Sequence, residues 1–354
     1  MMTHYQPVDY DIFIGIDVDK TSFAFTVRDH FNMTRSKKIP ADPEHLSSYI
    51  NNHFKDKAVL CAYEAGPTGF HLYDALEEKG QPCLVVSPTS IPKAANQKVK
   101  NNRIDSDKLS RYLKSGELKS IRVPQGAYRE LRHLIKVRQL YARNQRSAKL
   151  RIKSLLLSVH LDSAVGDIEQ NWSNNYVQRL RDLSCSEAVR QRLDMLLQDL
   201  SYARRQLVAA TRILRTFCRN HPEIHAHLNH LQSIDGIGFI IAATVLGKIG
   251  DPRYLNNVRE LAGFMGLTPR EHSTGHVIQM GSITHLGDKP LRSLLIEAAW
   301  VAIRKNVSLR QFYHRIKQRH HPQIAAKKAI VAVARKLTCI IYAVLKEQRM
   351  FVAC

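Results

Sequence analysis

The chain has 354 residues, of which 44% are hydrophobic, so it is long and apolar enough for two or more domains with buried cores and is not a disordered polypeptide. Lysine and arginine number 53 against 31 aspartates and glutamates, which gives a formal net charge of +22 at pH 7. A charge of this size predicts a polyanionic partner such as nucleic acid.

At the N-terminus, MMTHYQPVDYD has no basic segment followed by an apolar one, which predicts that the chain carries no secretory signal and stays in the cytoplasm. The longest apolar run, residues 237–246, is well short of the ~18 residues that a membrane-spanning helix needs, so no membrane partner is expected. The cysteines are scattered without CxxC pairs and are expected to be reduced, small apolar side chains.

Residues 12–120 alternate between short apolar segments and amphipathic ones. In chain order these are the strand-like IFIGIDV and SFAFTV, the buried strand AVLCAYE, the amphipathic helix within PTGFHLYDALEEKG, the strand PCLVV and a further helical segment. Strands that alternate with helices are typical of an α/β domain, which we predict over residues 10–125.

Two carboxylates stand at the ends of apolar strands in this domain. Asp17 is the second-to-last residue of IFIGIDV and Glu64 is the last of AVLCAYE, and a carboxylate in such a position is costly unless it is paired or bound to a cation. Each acid alone is as well explained as a solvated strand terminus. Together, in a strongly basic chain, they predict a site for Mg²⁺ or Mn²⁺, which would bind the oxygens of a phosphodiester.

The segment KVKNNRIDSDKL adds two more carboxylates in basic surroundings. If residues 102–113 are helical, Asp105 and Asp107 point about 200° apart and do not easily bind one metal ion together. One turn before Asp105, on the same face, lies Asn102, whose side-chain oxygen can also bind a hard cation. We therefore expect Asp105 to be a ligand and Asp107 to be solvated. Phosphate contacts are expected from three flanking basic residues, Lys98, Lys100 and Arg103.

From about residue 128 the pattern changes to long helices. Nearly every charged residue between 129 and 153 is basic, with Glu130 as the exception. Solvated helix faces usually mix both signs of charge, so phosphate contact is favoured over a bland surface. The expected contacts in this helix are Arg138, Arg143 and Arg146.

A long amphipathic segment follows, and Ser184 and Glu187 have the spacing of a capping box at its start. Apolar residues then recur at alternating intervals of four and three, namely Val189, Leu193, Leu196, Leu200, Ala203, Leu207, Ala210, Leu214 and Phe217. A heptad seam of this length favours a coiled coil, formed with the preceding basic helix folded back or with a second protomer. An ordinary helix in an intramolecular bundle is the alternative. We assign residues 126–228 to this helical middle domain.

Residues 229–354 are predicted to form a third, mostly helical domain. It begins with SIDGIGFIIAATVLGKIG, where Gly236 and Gly238 separate apolar residues ahead of a helical run. This pattern resembles a helix-hairpin-helix turn, in which glycines let backbone amides approach a phosphate closely. A tight turn that packs two helices together is the alternative.

The order of these features resembles a known family. FIGIDVDK, YEAGPTG and KNNRIDSDKLSRYLKSGEL are similar, in order and spacing, to the first sequence block of the DEDD transposases of bacterial insertion sequences, relatives of the pilin-gene inverting recombinases. The resemblance implies a ribonuclease-H-like (RuvC-like) catalytic domain in which Asp17, Glu64 and Asp105 bind the metal. The chain departs from the family at Asn102, where the commoner residue is aspartate. Asn102 either substitutes as a neutral ligand or marks a decayed site, and Asp107 aligns with a variable position.

LAGFMGLTPREHSTGHVIQMGSITHLGDKPLRSLLIEAA, residues 261–299, resembles the second block of the same family. The resemblance implies that a serine in this block attacks DNA and forms a covalent phosphoserine link. Ser273 matches that serine best, Ser282 is the competing candidate and Thr274 is a more distant one. Phosphates around this loop are expected to contact three basic residues, Arg270, Lys289 and Arg292.

The family further implies several partners. These are donor and target double-stranded DNA, a structured bridge RNA encoded by the mobile element, and further copies of the chain, as a dimer that pairs into a tetramer beside the bacterial nucleoid. Composition alone does not separate RNA from DNA, because basic charge serves both. Two other functions stay open, a metal-dependent Holliday-junction resolvase that hydrolyses DNA with water, and a DNA-bridging protein with a decayed site.

Overall fold

The computed structural model of the chain describes residues 5–91, 102–165, 172–271, 273–274, 279–284 and 286–352. The chain forms two compact units, Met1–Val123 and Pro124–Cys354. The first division predicted from sequence, between residues 125 and 126, lies close to this one. A further boundary between residues 228 and 229 stays a prediction.

The first unit is built on a five-stranded mixed sheet with the order β3-β2-β1-β4-β5. Its strands are β1 (Ile12–Val18), β2 (Ser22–Asp29), β3 (Thr34–Pro40), β4 (Val59–Glu64) and β5 (Cys83–Val86). The first three strands pair antiparallel, whereas β4 runs parallel to both β1 and β5. The predicted α/β domain is thus confirmed, because the strands read from sequence are present and pair into one sheet.

Three helices cover the two faces of this sheet. They are α1 (Pro43–His53), α2 (His71–Glu78) and α3 (Asn102–Lys114). Leu46 of α1 and Leu76 of α2 share a core with the β1 residues Ile14 and Ile16 on one face. On the other face, α3 packs its leucines against β4 and β5. The predicted helix over residues 102–113 is therefore confirmed, and it lies alone on its face among the described helices.

The second unit is mostly helical. Its helices are α4 (Gly126–Ser158), α5 (Asn174–Asp182), α6 (Glu187–Asn220), α7 (Pro222–Gln232), α8 (Phe239–Ile249), α9 (Val258–Phe264), α10 (Lys289–Lys305), α11 (Val307–Lys317) and α12 (Pro322–Glu347). A short antiparallel hairpin of β6 (Pro269–Glu271) and β7 (Met280–Ile283) lies between α9 and α10. No helix within the described ranges is both long and apolar enough to span a bilayer.

The long helices α4 and α6 pack against each other. They share a small core with α5, formed by residues such as Ile152, Tyr176 and Leu193. The seam predicted for α6 is buried at five positions, Leu193, Leu200, Ala203, Ala210 and Leu214. Of the two partners expected for this seam, the one seen is the preceding basic helix of the same chain, and a supercoil stays a prediction.

The predicted capping box is wrong. The N-cap of α6 is Ser186, and no side-chain capping hydrogen bond forms there. Glu187 is consequently the first residue of the helix, not the third, so its side chain does not reach back to the N-cap in the reciprocal way that the motif requires. The helix begins two residues later than the Ser184 spacing indicated.

Candidate functional site

Asp17 is the second-to-last residue of β1 and Glu64 is the last residue of β4, and these two strands are parallel neighbours. The last registered pair of β1 and β4 is Ile16 with Tyr63, and the two carboxylates follow directly on each strand. Because Ile16 and Tyr63 belong to the core on the α1 and α2 side, alternation along a strand turns Asp17 and Glu64 to the opposite face. Neighbouring strands lie about 4.8 Å apart, so the two carboxylates lie side by side at this edge of the sheet.

Helix α3 crosses that same face in direct contact with the sheet. A Cβ atom on Gly15 would lie 2.2 Å from the carbonyl oxygen of Ser106 and 2.3 Å from the amide nitrogen of Ser110. Only glycine therefore permits the helix backbone to lie this close to β1. The hydroxyl groups of Thr26 on β2 and Ser106 lie 2.9 Å apart and form a buried hydrogen bond that fixes the helix laterally.

The contacts of α3 also give its direction. Ser106 bonds to Thr26, which pairs with Gly15, whereas Ser110 accepts a hydrogen bond from Arg28, which pairs with Phe13 nearer the start of β1. The helix thus runs antiparallel to β1. One turn before Ser106, its first residues point back towards the end of the strand that carries Asp17.

The two aspartates of α3 face different strands. Asp105 lies one turn before Leu109, which packs with Leu60 of β4, so the carboxylate is on the side of the helix that is turned towards β4. Asp107 is on the other side, where its Oδ1 lies 2.6 Å from a terminal guanidinium nitrogen of Arg28 on β2. The helical spacing therefore separates the acids as expected.

Asp107 is solvated as expected, since 44% of its side chain is exposed, but it also has a partner that the sequence did not indicate. Its partner Arg28 sits on a buried strand and its side chain is only 10% exposed, so the guanidinium needs a counter-charge. Asp107 supplies it and is committed to holding α3 on the sheet. This engagement leaves Asp105 as the carboxylate of α3 that is oriented towards β4, with Asp105 half-buried and Asn102 exposed.

The chemistry of these side chains suits a hard divalent cation, since carboxylates and an amide oxygen are the ligands that Mg²⁺ and Mn²⁺ prefer. These side chains do not form a complete metal-binding site in the structure. Throughout the described parts of the chain, no three histidine, cysteine, aspartate or glutamate side chains come together closely enough to hold a metal ion. Arg103 is exposed in the first turn of α3. Lys98 and Lys100 lie outside the described residues.

In the second unit, Ser273 follows strand β6 and is exposed. Its hydroxyl donates a hydrogen bond of 2.8 Å to Oε1 of Glu271, a contact that sequence reasoning missed. The signal available was a carboxylate two residues before a candidate nucleophile in a hairpin, where both side chains can turn to the same side. Thr274 and Ser282 are exposed nearby in sequence.

The basic residues around this hairpin divide into two kinds. Arg270 and Lys289 are exposed and accessible to a phosphate. Arg292 is only 8% exposed, and its Nη1 donates hydrogen bonds to the carbonyl oxygens of Gly266 at 3.2 Å and Leu286 at 3.0 Å. The expectation that Arg292 binds phosphate is therefore wrong. Its guanidinium ties the segment before β6 to the segment after β7 and so positions the hairpin.

The two glycines of the turn between α7 and α8 also have different environments. Gly236 has a φ of +88°, and a Cβ on it would lie 2.4 Å from the carbonyl oxygen of Ala298 on α10. Close packing against that helix accounts for this glycine, as the alternative interpretation anticipated. Gly238 is the N-cap of α8 and a Cβ there would meet nothing within 4 Å, so its backbone is approachable.

The arginines predicted to contact phosphate on α4 are not equally accessible. Arg143 and Arg146 are exposed. Arg138 is half-buried, and its Nε has no hydrogen-bond partner among the described residues. Burial lowers the pKa of the Arg138 guanidinium. Arg143 and Arg146 are thus the better placed of the three for an external anion.

Comparison with protein families gives two matches. A model described as transposase, of the DEDD type of IS110, matches residues 14–161, and a model of the transposase IS116/IS110/IS902 family matches residues 228–314. The first match contains the carboxylates of β1, β4 and α3, and the second contains the β6–β7 hairpin. Together the two models cover well over half of the chain.

Curated relatives agree with these matches. The putative transposase y4qE of Sinorhizobium fredii is 28% identical over 298 residues, which span 82% of this chain and 72% of the relative. The transposase for insertion sequence element IS1111A of Coxiella burnetii is 24% identical over 96% of this chain and 90% of its own length. The pilin gene-inverting protein of Moraxella bovis is 34% identical over 37% of this chain and 40% of its own.

Proposed function

Because this chain belongs to the IS116/IS110/IS902 family of transposases, enzymes that act on DNA, we propose that it cuts and rejoins DNA through a covalent link to Ser273. Strand cleavage would then keep the energy of the phosphodiester bond in a protein–DNA link. Rejoining would need neither ATP nor a second enzyme. The proposed nucleophile belongs to the C-terminal unit, and the proposed metal-binding carboxylates belong to the N-terminal unit.

The N-terminal unit is proposed to be a RuvC-like, ribonuclease-H-like domain. This rests above all on the common face of the sheet to which Asp17, Glu64 and Asp105 are turned, because strand order alone does not imply catalysis. Those three side chains, with Asn102 as a neutral fourth, would hold Mg²⁺ or Mn²⁺. When bound, such an ion supplies positive charge that stabilises the phosphodiester oxygens during attack and departure.

Ser273 is the proposed nucleophile because its hydroxyl is exposed just after β6, and because basic side chains of β6 and of the start of α10 are exposed as well. Arg270 and Lys289 would hold the phosphate and stabilise the extra negative charge of the transition state. Arg292 would act through the backbone that it ties together, keeping the hairpin in place.

The proposed nucleic-acid partners are donor and target DNA and a structured bridge RNA from the mobile element. Support comes from the formal charge of +22 and from the exposed Arg143 and Arg146 on α4. The backbone of Gly238 is a further candidate contact at the N-terminus of α8. Recombination joins more than one DNA site, so the chain is proposed to act as a dimer that pairs into a tetramer, with the α4 and α6 pair as a coiled coil.

A denaturing gel tests the proposal. The protein is mixed with Mg²⁺, with labelled DNA that carries the ends of the mobile element encoding it, and with RNA transcribed from that element. We expect a protein–DNA adduct that Ser273→Ala abolishes and that the control variants Ser282→Ala and Thr274→Val retain. Free cut ends without an adduct would instead indicate a hydrolytic resolvase. Intact DNA that only shifts on a native gel would indicate a bridging protein. An adduct in Ser273→Ala would show that the nucleophile is another residue.

A further inference from the structure

The hydrogen bond between Ser273 and Glu271 joins a candidate nucleophile to a carboxylate. The hydroxyl of Ser273 donates to Oε1 of Glu271, and its Oγ lies 2.8 Å from that oxygen. This distance is within the range over which a general base takes a proton. Both side chains are exposed, so an incoming phosphodiester can reach the serine without displacing a packed group.

A serine hydroxyl is a weak nucleophile until a base removes its proton. His272, the residue before Ser273, lies outside the described residues. Among the described neighbours of Ser273 in sequence, Arg270, Glu271 and Thr274, only Glu271 carries a carboxylate that can take a proton and become neutral. Glu271 pairs with Met280 in the β6–β7 ladder, so its backbone is held by the hairpin while its side chain is available to the serine.

We propose that Glu271 is the general base that activates Ser273, an assignment that rests on the proposed function. As the Ser273 Oγ attacks phosphorus, its O–H bond breaks and the proton moves to Glu271. The new Oγ–P bond forms as the bond from phosphorus to the departing deoxyribose oxygen breaks, and solvent protonates that oxygen. When strands rejoin, a deoxyribose hydroxyl attacks the phosphorus of the phosphoserine and loses its proton to solvent. The Oγ–P bond breaks as the new bond to deoxyribose forms, and Glu271 returns its proton to the departing Ser273 Oγ.

The electrostatics of the hairpin agree with this role. A carboxylate beside a phosphodiester is repelled by it, but accepting the proton removes the negative charge of Glu271 as the phosphorus centre gains charge. The exposed Arg270 is the next residue along β6 and adds positive charge close by. This exposed guanidinium can attract a phosphate to the hairpin.

The variant Glu271→Gln separates a base from a positioning residue, because a glutamine oxygen accepts the same hydrogen bond from Ser273 but does not take the proton at neutral pH. With DNA, RNA and Mg²⁺ saturating, we expect adduct formation to slow by about 100-fold or more, the usual contribution of a general base. DNA affinity and the thermal unfolding temperature should equal those of the wild type. The rate of the variant should also rise more steeply with pH than that of the wild type, because hydroxide must replace the base.

An adduct rate for Glu271→Gln within about threefold of the wild type, with the same pH dependence, would overturn the assignment. Glu271→Asp provides a second test, since the shorter carboxylate keeps the basicity and should recover part of the loss. Ser273→Ala run in parallel keeps the two proposals apart. If that variant still forms an adduct, the nucleophile is wrong, whereas loss of the adduct in Ser273→Ala but not in Glu271→Gln rejects the base alone.

Discussion

Replacing Gly15 by alanine tests whether the seat of α3 on the sheet sets the geometry of the carboxylates. The new Cβ would lie 2.2 Å from the carbonyl oxygen of Ser106 and 2.8 Å from Cβ of Leu109. A carbon–oxygen contact is normally about 3.3 Å or longer, so the helix must retreat by about 1 Å. Overpacking of this kind costs about 1–3 kcal/mol of the free energy of unfolding.

The same retreat carries Asp105 away from the strand ends of Asp17 and Glu64. A misplacement of about 1 Å in a reacting group can lower a rate by about 100-fold, so we expect adduct formation by Gly15→Ala to fall by that factor even in folded protein. Circular dichroism on heating measures the stability, and the denaturing gel measures the rate at a temperature where the variant is folded.

Gly263→Ala is the matched control, because a Cβ there meets nothing closer than 3.9 Å and the residue lies inside helix α9. Its stability should be unchanged or slightly higher, since alanine favours a helix by up to about 1 kcal/mol over glycine. If Gly15→Ala had the same unfolding temperature and the same rate of adduct formation as the wild type, α3 would not be held on β1 as described.

Three further variants test the other assignments. Asp107→Ala leaves the buried guanidinium of Arg28 without its carboxylate partner, so it should lower the free energy of unfolding by about 1–3 kcal/mol. Asp105→Asn should instead abolish cleavage and leave stability unchanged. The reverse result would exchange the roles of the two aspartates. Arg292→Met removes two hydrogen bonds to backbone and should lower stability without changing how DNA affinity depends on salt. A shallower salt dependence in this variant would indicate that Arg292 does contact a phosphate. His227 is a buried residue of α7, and burial lowers the pKa of its imidazole below the usual 6.5. The stabilisation by the neutral ring is therefore present above that value and is lost as pH falls through the folded-state pKa. Thermal unfolding at pH 7.5 and 5.5 should show this loss, and His227→Gln should reduce it.

Several conclusions about the site follow from local spacing. The separation of Asp105 from Asp107 needs only the 3.6-residue turn of a helix, and α3 has it. The predicted position of Glu64 at the end of a buried strand likewise needs only the run of apolar residues before it. Local patterns of this kind survive folding because they reflect backbone geometry within one element.

Contacts between distant residues were not predictable in the same way. Arg28 and Asp107 are 79 positions apart, and nothing near either residue indicates the other. Arg292 looks like any basic residue at the start of a helix, and only the segments folded around it show that its guanidinium is buried. Glu271 lies two residues before Ser273, but this spacing does not by itself say that the two side chains meet.

The sequence by itself determined the type and order of most elements, the basic character of the chain and the residue types available for phosphoryl transfer, because periodicity, charge and motif order are properties of the linear chain. Only the tertiary structure decided which of those residues are committed to packing. Gly15 allows α3 to pack closely on the sheet, Asp107 forms an ion pair with Arg28, and Arg292 donates hydrogen bonds to backbone carbonyls. Burial and pairing of polar groups depend on which distant segments meet, and that is settled by packing the whole chain.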